Sequence, residues 1–533
     1  MNHNSNDRRP SVAAAALCAA LAVVAAERAG AQTNGGNLGP GLIGLPYAND
    51  VERQAAVAND TTFRLLDADC NPSGVFDQNP APDYDQIRPG SRPSGPVAGP
   101  RCTEDAFFVY LNARELFHSA NDLRDQGPTV ASLAVDQEGL GTALRWTAAE
   151  EFAAQGSMAT EIANNQLSNL AARMTALRYG ASGFGIGGLF EQRDGQPAYA
   201  GTTLRRGGAA QGETYSPWGG FLNLSFGYGS KDPTGRENAF DFDGSEITLG
   251  ADYRFPSNVI VGGMLGFTEQ AVDFDEAASA ISVTDGGIDS DGSTVIAFAL
   301  FQGEKLSLNG SLGTQSIDYD VTREIEYPSF NPNLASVSST ALSAPSADIT
   351  TMTFGAGWGF TLNKFTFEPQ LTVEYMDVTI DAFAEAHSIN RISNSTESRR
   401  FDLAVSEQSF ESLDMALALR FQYAVTPRFG VIVPYWAIEA HKESMDDARI
   451  IRAGYSALAG IPGFDAFEVP TDAPDANYVA FSAGFSIVLR GGRQRELDGP
   501  VAGGLSGFLQ LKTIEDLQYF EDQVVTGGFR YEF

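Results

Sequence analysis

Residues 524–533 read VVTGGFRYEF, and they set the fold question for the whole chain. In an extended strand, Phe529, Tyr531 and Phe533 fall on one face, and Arg530 and Glu532 fall on the other. In a soluble sheet an exposed aromatic edge of this kind invites pairing with other chains. In a bilayer, alternation with the apolar residues outward is what a barrel strand requires. The stretch therefore reads as the closing strand of a membrane barrel, its terminal aromatics forming an assembly signal at the lipid face. Its expected partner is the first strand, PWGGFLNLSFGYG at 217–229.

The same period of two recurs upstream. GSEITLGADYRF (244–255) places Ile247, Leu249, Ala251, Tyr253 and Phe255 against Thr248, Gly250, Asp252 and Arg254. KFTFEPQLTVEY (364–375) and ESLDMALALRFQYAV (411–425) repeat the pattern. Alternation also suits a soluble sandwich, so the connections must decide. Short links occur at PSN (256–258), QGE (302–304), LNK (362–364) and TPR (426–428). Long, Asp-rich ones occupy 273–292, 319–348, 382–400 and 441–475. Tight turns on one rim and long loops on the other are the plan of an outer-membrane barrel, here of about twelve antiparallel strands.

On the inward face many positions are small: Asn223, Ser225 and Gly227; Gly355, Gly357 and Gly359; Ser482, Gly484 and Ser486. Such residues leave a lumen about one helix wide. The segment TAAEEFAAQGSMATEIANNQLSNLAARMTALRYG (147–180) is helical in pattern, with Thr147 and Glu150 in capping-box spacing and Gly180 as its stop. It is too polar on too many sides for a core helix, so it is expected to fill a polar channel. Four inward acids, Asp252, Glu368, Glu374 and Asp414, either meet Arg173 and Arg178 of this helix or simply line a hydrated lumen.

The chain begins with MNHNSNDRR, an apolar run at 11–26, and small residues at Ala29 and Ala31. That is the pattern of a cleavable export signal over 1–31. Cys18 follows Leu17, where a lipoprotein signal needs a small residue, so lipidation is not expected. No later stretch approaches the roughly 20 apolar residues of a membrane helix. Cys70 and Cys102 remain after signal removal; in an exported protein they read as one disulfide, two free thiols being the alternative. Residues 32–146 combine Gly/Pro-rich loop, one amphipathic stretch at 51–70, and a helical run at 103–123 with Phe107, Phe108, Leu111 and Phe117 near one face. The Gly and Pro density of 32–101 is not expected to hold a packed core by itself.

A net charge of −32 and a pI near 4.4 argue against nucleic-acid binding. Of the four histidines, His118 falls on the upstream helix, and His387 and His441 fall in the expected long loops. With no histidine expected in a strand core, a Ser–His pair on the barrel wall has no base, and no G-x-S-x-G occurs. GFGIGG (183–188) follows a helix and precedes none, so it reads as a hinge and not a nucleotide site. DGGIDSDG (285–292) lacks the closing Glu of a calcium loop. Neither an enzyme, a cofactor nor a metal site is expected.

A polar helix, a Gly-rich hinge and about twelve strands ending in aromatic-x-Phe resemble the translocator domain of autotransporters, over roughly 147–533. The more specific likeness is NLAARMTALR, Asn169 to Arg178, which is similar to the pore helix of the secreted serine-protease autotransporters. That resemblance implies cleavage between two asparagines at the start of the motif. Ser168 stands where the first should be, and Asn164-Asn165 lies about one turn earlier. The helix is therefore expected to stay attached. RQAAVAND (53–60), Cys70, Cys102 and ALRWTAAEEFAAQGS (143–157) together resemble a short helical module that precedes some autotransporter barrels. The expected fold class is an all-β membrane barrel with an α-helix through its lumen and a small, mostly helical N-terminal module. The divisions are 1–31 signal, 32–146 module, 147–216 pore helix and hinge, and 217–533 barrel. The resemblance implies a Gram-negative outer-membrane translocator that displays its own module at the cell surface, with adhesion as the role. Its implied partners are outer-membrane lipid, the barrel assembly machinery, periplasmic chaperones and an unidentified surface ligand. The competing reading is a plugged, porin-like channel with a periplasmic module.

Overall fold

The computed structural model describes residues 38–88, 96–149, 151–177, 217–274, 286–303, 305–362, 364–386, 400–425, 430–445, 447–461, 467–489 and 505–532, with short pieces between them. Arg178, the GFGIGG stretch, His387 and Phe533 lie outside the described residues.

Twelve antiparallel strands close on themselves. They are β1 Trp218–Lys231, β2 Phe240–Arg254, β3 Val259–Phe274, β4 Gly287–Gln302, β5 Leu306–Tyr327, β6 Ser346–Trp358, β7 Phe365–Ile380, β8 Gln408–Tyr423, β9 Gly430–Glu443, β10 Asn477–Leu489, β11 Leu505–Glu515 and β12 Phe520–Glu532. Closure is made by β12 on β1, in a ladder from Phe520↔Lys231 to Glu532↔Gly219. The aromatic edge raised by the sequence thus has no free hydrogen bonds to offer. Phe529 and Tyr531 face outward, and Arg530 points into the lumen.

Outward positions carry the apolar belt: Phe226, Leu249, Phe354, Leu371, Trp436 and Leu417 are all exposed, the last at 63%. Facing residues alternate with them and are buried, as expected for Asn223, Ser225, Ser482 and Ser486. The short links at 255–258, 303–305, 359–364 and 424–429 share one rim with Pro217 and the end of β12; we call it the turn rim. The four long Asp-rich links share the other, the loop rim; β10 ends and β11 starts on the turn rim, although 490–504 separate them.

The long links are less loop-like than their composition suggests. β5 runs for 22 residues, about 70 Å at the usual rise, well beyond a bilayer's apolar band. The DGGIDSDG stretch is largely strand, since β4 starts at Gly287. Val337–Ser343 lengthens the β5 ladder, and Phe383–Ala384, Leu403–Val405, Ile450–Tyr455 and Phe467–Pro470 form a separate four-stranded sheet above the barrel. Alternating Asp and Ser concealed this, because strands standing in water on their outer face need no apolar belt there.

Among the described residues four α-helices precede the barrel: α1 Asp50–Cys70, α2 Glu104–Asp122, α3 Gln137–Thr147 and α4 Phe152–Ala176. α1 is capped by Asn49, whose side chain accepts the Glu52 amide while Glu52 accepts from the Asn49 carboxamide. Thr103 and Asp136 cap α2 and α3 by accepting the amides of Ala106 and Gly139. Thr147 is not the N-cap of a helix, and Glu150, its expected capping-box partner, lies outside the described residues. Thr147 ends α3, and its hydroxyl bonds back to Leu144 O and accepts from Asn59; α4 starts five residues later with no side-chain cap.

The Gly/Pro-rich stretch is packed in a core that it shares with α2. Phe63 stacks on Phe117 with ring centroids 4.2 Å apart, and Phe76 and Phe107 pack beside them. Cys70 and Cys102 are joined, with Cα atoms 5.2 Å apart, tying the end of α1 to the start of α2. Arg114 holds the Pro-rich loop between them by donating to the carbonyls of Phe76, Asn79 and Pro80. This core is not private to the module. One continuous cluster of buried apolar side chains runs from Leu42 and Phe63 to Ile380, Leu403 and Val469 of the loop rim. Backbone and side chain bonds reinforce it: Tyr455 Oη donates to Asn59, Asn112 to Arg400 O, and Phe330 N to Leu133 O.

Candidate functional site

α4 enters the barrel at the loop rim, where Phe152 packs edge-on against Phe383 and Arg449 donates to Ala153 O. It ends near the turn rim, beside Asp252. The lumen is therefore occupied along most of its length by a helix continuous with the module above.

At the turn rim, Asp252 accepts from two buried guanidinium groups. Arg173 of α4 donates at 2.9 Å, and Arg530 of β12 donates at 2.6 Å and 3.1 Å. Arg530 reaches Asp252 by crossing β1 over Gly219, where a Cβ would stand 2.3 Å from its Nη2. Arg173 also lies over the Phe221 ring, 4.6 Å from its centroid. One turn higher, Asn169 donates to Glu246 at 2.6 Å and to Thr248 at 3.1 Å, and accepts from Asn223 at 2.8 Å. Gln166 donates to Thr268. Each helix position one turn apart thus meets a polar group on the wall, which is why α4 carries polar residues without a solvent face.

Asp252 is the one expected lumen acid that pairs with a helix arginine among the described residues. Glu368 accepts from Ser307 at 2.8 Å and stands opposite Arg420 in the β7–β8 ladder. Arg420 in turn donates to Thr175 of α4, a contact no sequence spacing revealed. Asp414 binds His441 at 2.7 Å, and Glu374 sits across the ladder from Asp414, near the loop rim. Helical rise explains the split. Arg173 lies at the foot of α4, whereas Glu374 and Asp414 belong to the upper half of the wall.

Two further corrections concern side chains. His441 is not in a loop: it belongs to β9, faces inward, and stacks on Tyr478. Its Nδ1 faces Asp414, and its Nε2 lies 3.5 Å from Glu439. The lumen wall is also not uniformly small. Phe221, Ile296, Phe298 and Leu300 form an apolar flank against Leu170, Met174 and Leu177 of the helix. Inward apolar residues in β4 are concealed in a sequence whose outward face is apolar as well.

In the module, His118 is buried among Phe63 and Phe117, and its Nδ1 accepts the Ala131 amide. Burial and, after it, the Arg114 charge hold its pKa well below the usual 6.5. Burial raises that of Asp67, against hydrogen bonds from Asn71 and Tyr110 that oppose the rise.

Closure by the terminal strand, an aromatic outer belt and a helix-filled polar lumen define a plugged outer-membrane barrel of the translocator type. Residues 220–493 match the family model described as the autotransporter beta-domain, and the chain belongs to that family. Among solved structures it is similar to the translocator domain of NalP from Neisseria meningitidis, at 12% identity and a TM-score of 0.40 over 60% of this chain and 89% of that one. The beta domain of Bordetella BrkA gives 17% and 0.34 over 59% and 99%, and the transport unit of Escherichia coli AIDA-I gives 11% and 0.36 over 69% and 98%. No curated protein matches the chain.

Proposed function

We propose that the barrel carries its own helical module to the cell surface and keeps it there as a permanent cap on the loop rim, where it serves adhesion or another surface contact. The observation that carries this reading is the path of α4. It runs from the module on the loop rim through the lumen to Arg173 near the turn rim. Outer-membrane barrels have short periplasmic turns and longer extracellular loops, which makes the loop rim the outer one. The porin-like alternative needs the module on the opposite rim, where the barrel strands start and end. Ser168, in place of an asparagine, supports a helix that stays attached; its hydroxyl is held by Lys512. We infer no catalytic role, since both nitrogens of His441 face carboxylates and not a hydroxyl nucleophile. Insertion would use the barrel assembly machinery and periplasmic chaperones.

A protease site inserted within 89–95 tests the sidedness, because it falls inside the loop closed by Cys70 and Cys102. Protease added to intact cells should cut it, and the two pieces should part on a gel after reduction alone. Cutting that requires a permeabilised outer membrane would place the module in the periplasm.

A further inference from the structure

Between α4 and the wall formed by β7–β12 and β1–β3 lies a cavity of about 250 Å³, reaching up to residues 472–475, Leu517 and Tyr519 on the loop rim. Glu161, Glu374, Asp414 and Asp522 line it. The cations at its edge are already engaged. Lys231 is bound by Asp472 and Glu237, and Arg449 donates to Ala153 O and Gln408. Glu443, also on the lining, is satisfied by Ser412 and three backbone amides.

Three other acceptors on the lining are not satisfied. Asp414 Oδ1, Asp522 Oδ1 and Gln270 Oε1 are buried with no donor among the described residues, and each of these residues is more than nine-tenths buried. Orphaned buried acceptors are costly, and three around one cavity call for a ligand rich in N–H groups. A metal ion does not suit them: no three carboxylate or imidazole groups among the described residues converge closely enough to hold one. Aromatic rings stand on the same lining, among them Phe410, Tyr478 and Phe520. Phe410 already carries a cation on its face, the Arg449 guanidinium at 4.4 Å. Carboxylates to receive ammonium N–H groups, with ring faces along an alkyl stem, are the recognition chemistry of an organic amine.

We propose that this cavity is a binding site for a linear aliphatic polyamine, its ammonium groups received by Asp414, Asp522 and Gln270 and its methylene stem lying along the aromatic wall. The site is distinct from the translocation role and does not depend on which rim faces outward.

Isothermal titration of the full chain in detergent micelles with spermidine is the test. Saturable binding at one site is expected, and Asp414→Asn/Asp522→Asn should weaken it about tenfold or more. Asp318→Asn/Asp320→Asn, on the exposed outer face of β5, should leave it unchanged. If the first variant loses the heat-modifiable form of a folded barrel, Gln270→Leu keeps the charge and removes one acceptor; it should weaken binding several-fold. Absence of saturable binding to the wild-type chain would overturn the proposal. So would equal weakening in the Asp318/Asp320 variant, or equal competition by calcium, since both mean diffuse attraction to an acidic surface.

Discussion

Asp252 of β2 and Arg530 of β12 are joined across the barrel seam, Nη2 to Oδ1 at 2.6 Å, with the bare backbone of Gly219 in β1 passing beneath. Arg173 of α4 shares the same carboxylate. The last strand, the second strand and the plug therefore meet at one buried group. Closing the seam and seating the helix are coupled by a single charge.

Removing that charge should be costly. Asp252→Ala removes the carboxylate that two buried guanidinium groups share, and a loss of about 3–5 kcal/mol is expected. The measurement is the urea midpoint of the folded barrel on a heat-modifiability gel. Gly219→Val should act in the same direction by displacing Arg530. A double-mutant cycle between Asp252 and Arg173 should show coupling; strict additivity would mean the helix does not share the site.

Conductance tests the plug. The intact chain should conduct poorly in a planar bilayer, and deletion of 38–177 should open a stable pore. That pore should prefer cations. Asp252 would remain neutralised by Arg530, so selectivity would come from Glu246, Glu374, Asp414, Glu439 and Asp522 acting against Arg420 and Lys512. Equal small conductance with and without the helix would put α4 outside the barrel.

The lipid-facing end of β12 should be needed for assembly. Phe529 is 52% exposed on the outer face, and Phe529→Arg should cost roughly 1–3 kcal/mol and lower the yield of inserted barrel. Deleting Phe533 should abolish insertion; normal amounts of heat-modifiable barrel from that deletion would count against the aromatic terminus as an assembly signal.

Acid should loosen the module through His118. Its folded pKa lies well below 6.5 while the unfolded value is about 6.5, so the unfolded chain binds the extra proton. The stabilisation is complete above pH 6.5 and is lost as pH falls from there towards the folded value. Asp67, raised in the fold, has the opposite sign: its contribution is complete below about 3.9 and fades as pH rises through its folded value. Melting of the helical module followed at 222 nm should therefore drop between pH 7.5 and 5.5, and His118→Gln should flatten that slope.

Loss of the Cys70–Cys102 bond should destabilise the module by about 3–4 kcal/mol on loop-closure entropy, given its separation of 32 residues. Cys70→Ser should also match the gel mobility of the reduced chain.

The strand count, the closure by residues 524–533, the two rims and the helix in the lumen were legible in the sequence by itself. Each rests on a period or a spacing, and a bilayer enforces both: apolar residues must alternate outward, and no edge can stay open. The disulfide was legible for the same kind of reason, since an exported chain with two cysteines has few options. Tertiary structure decided the partners. Two of the four lumen acids, Glu374 and Asp414, stand too high on the wall for Arg173, and Glu368, low on the wall, meets Ser307 instead, a matter of helical rise and strand stagger that no local pattern encodes. Arg530 was visible as inward-facing, yet its reach across Gly219 to Asp252 exists only once the first and last strands are neighbours. The module's core was hidden because much of it belongs to the loop rim, far away in sequence. Its Gly/Pro-rich composition describes a segment that cannot bury enough apolar surface alone, and in the folded protein it does not have to.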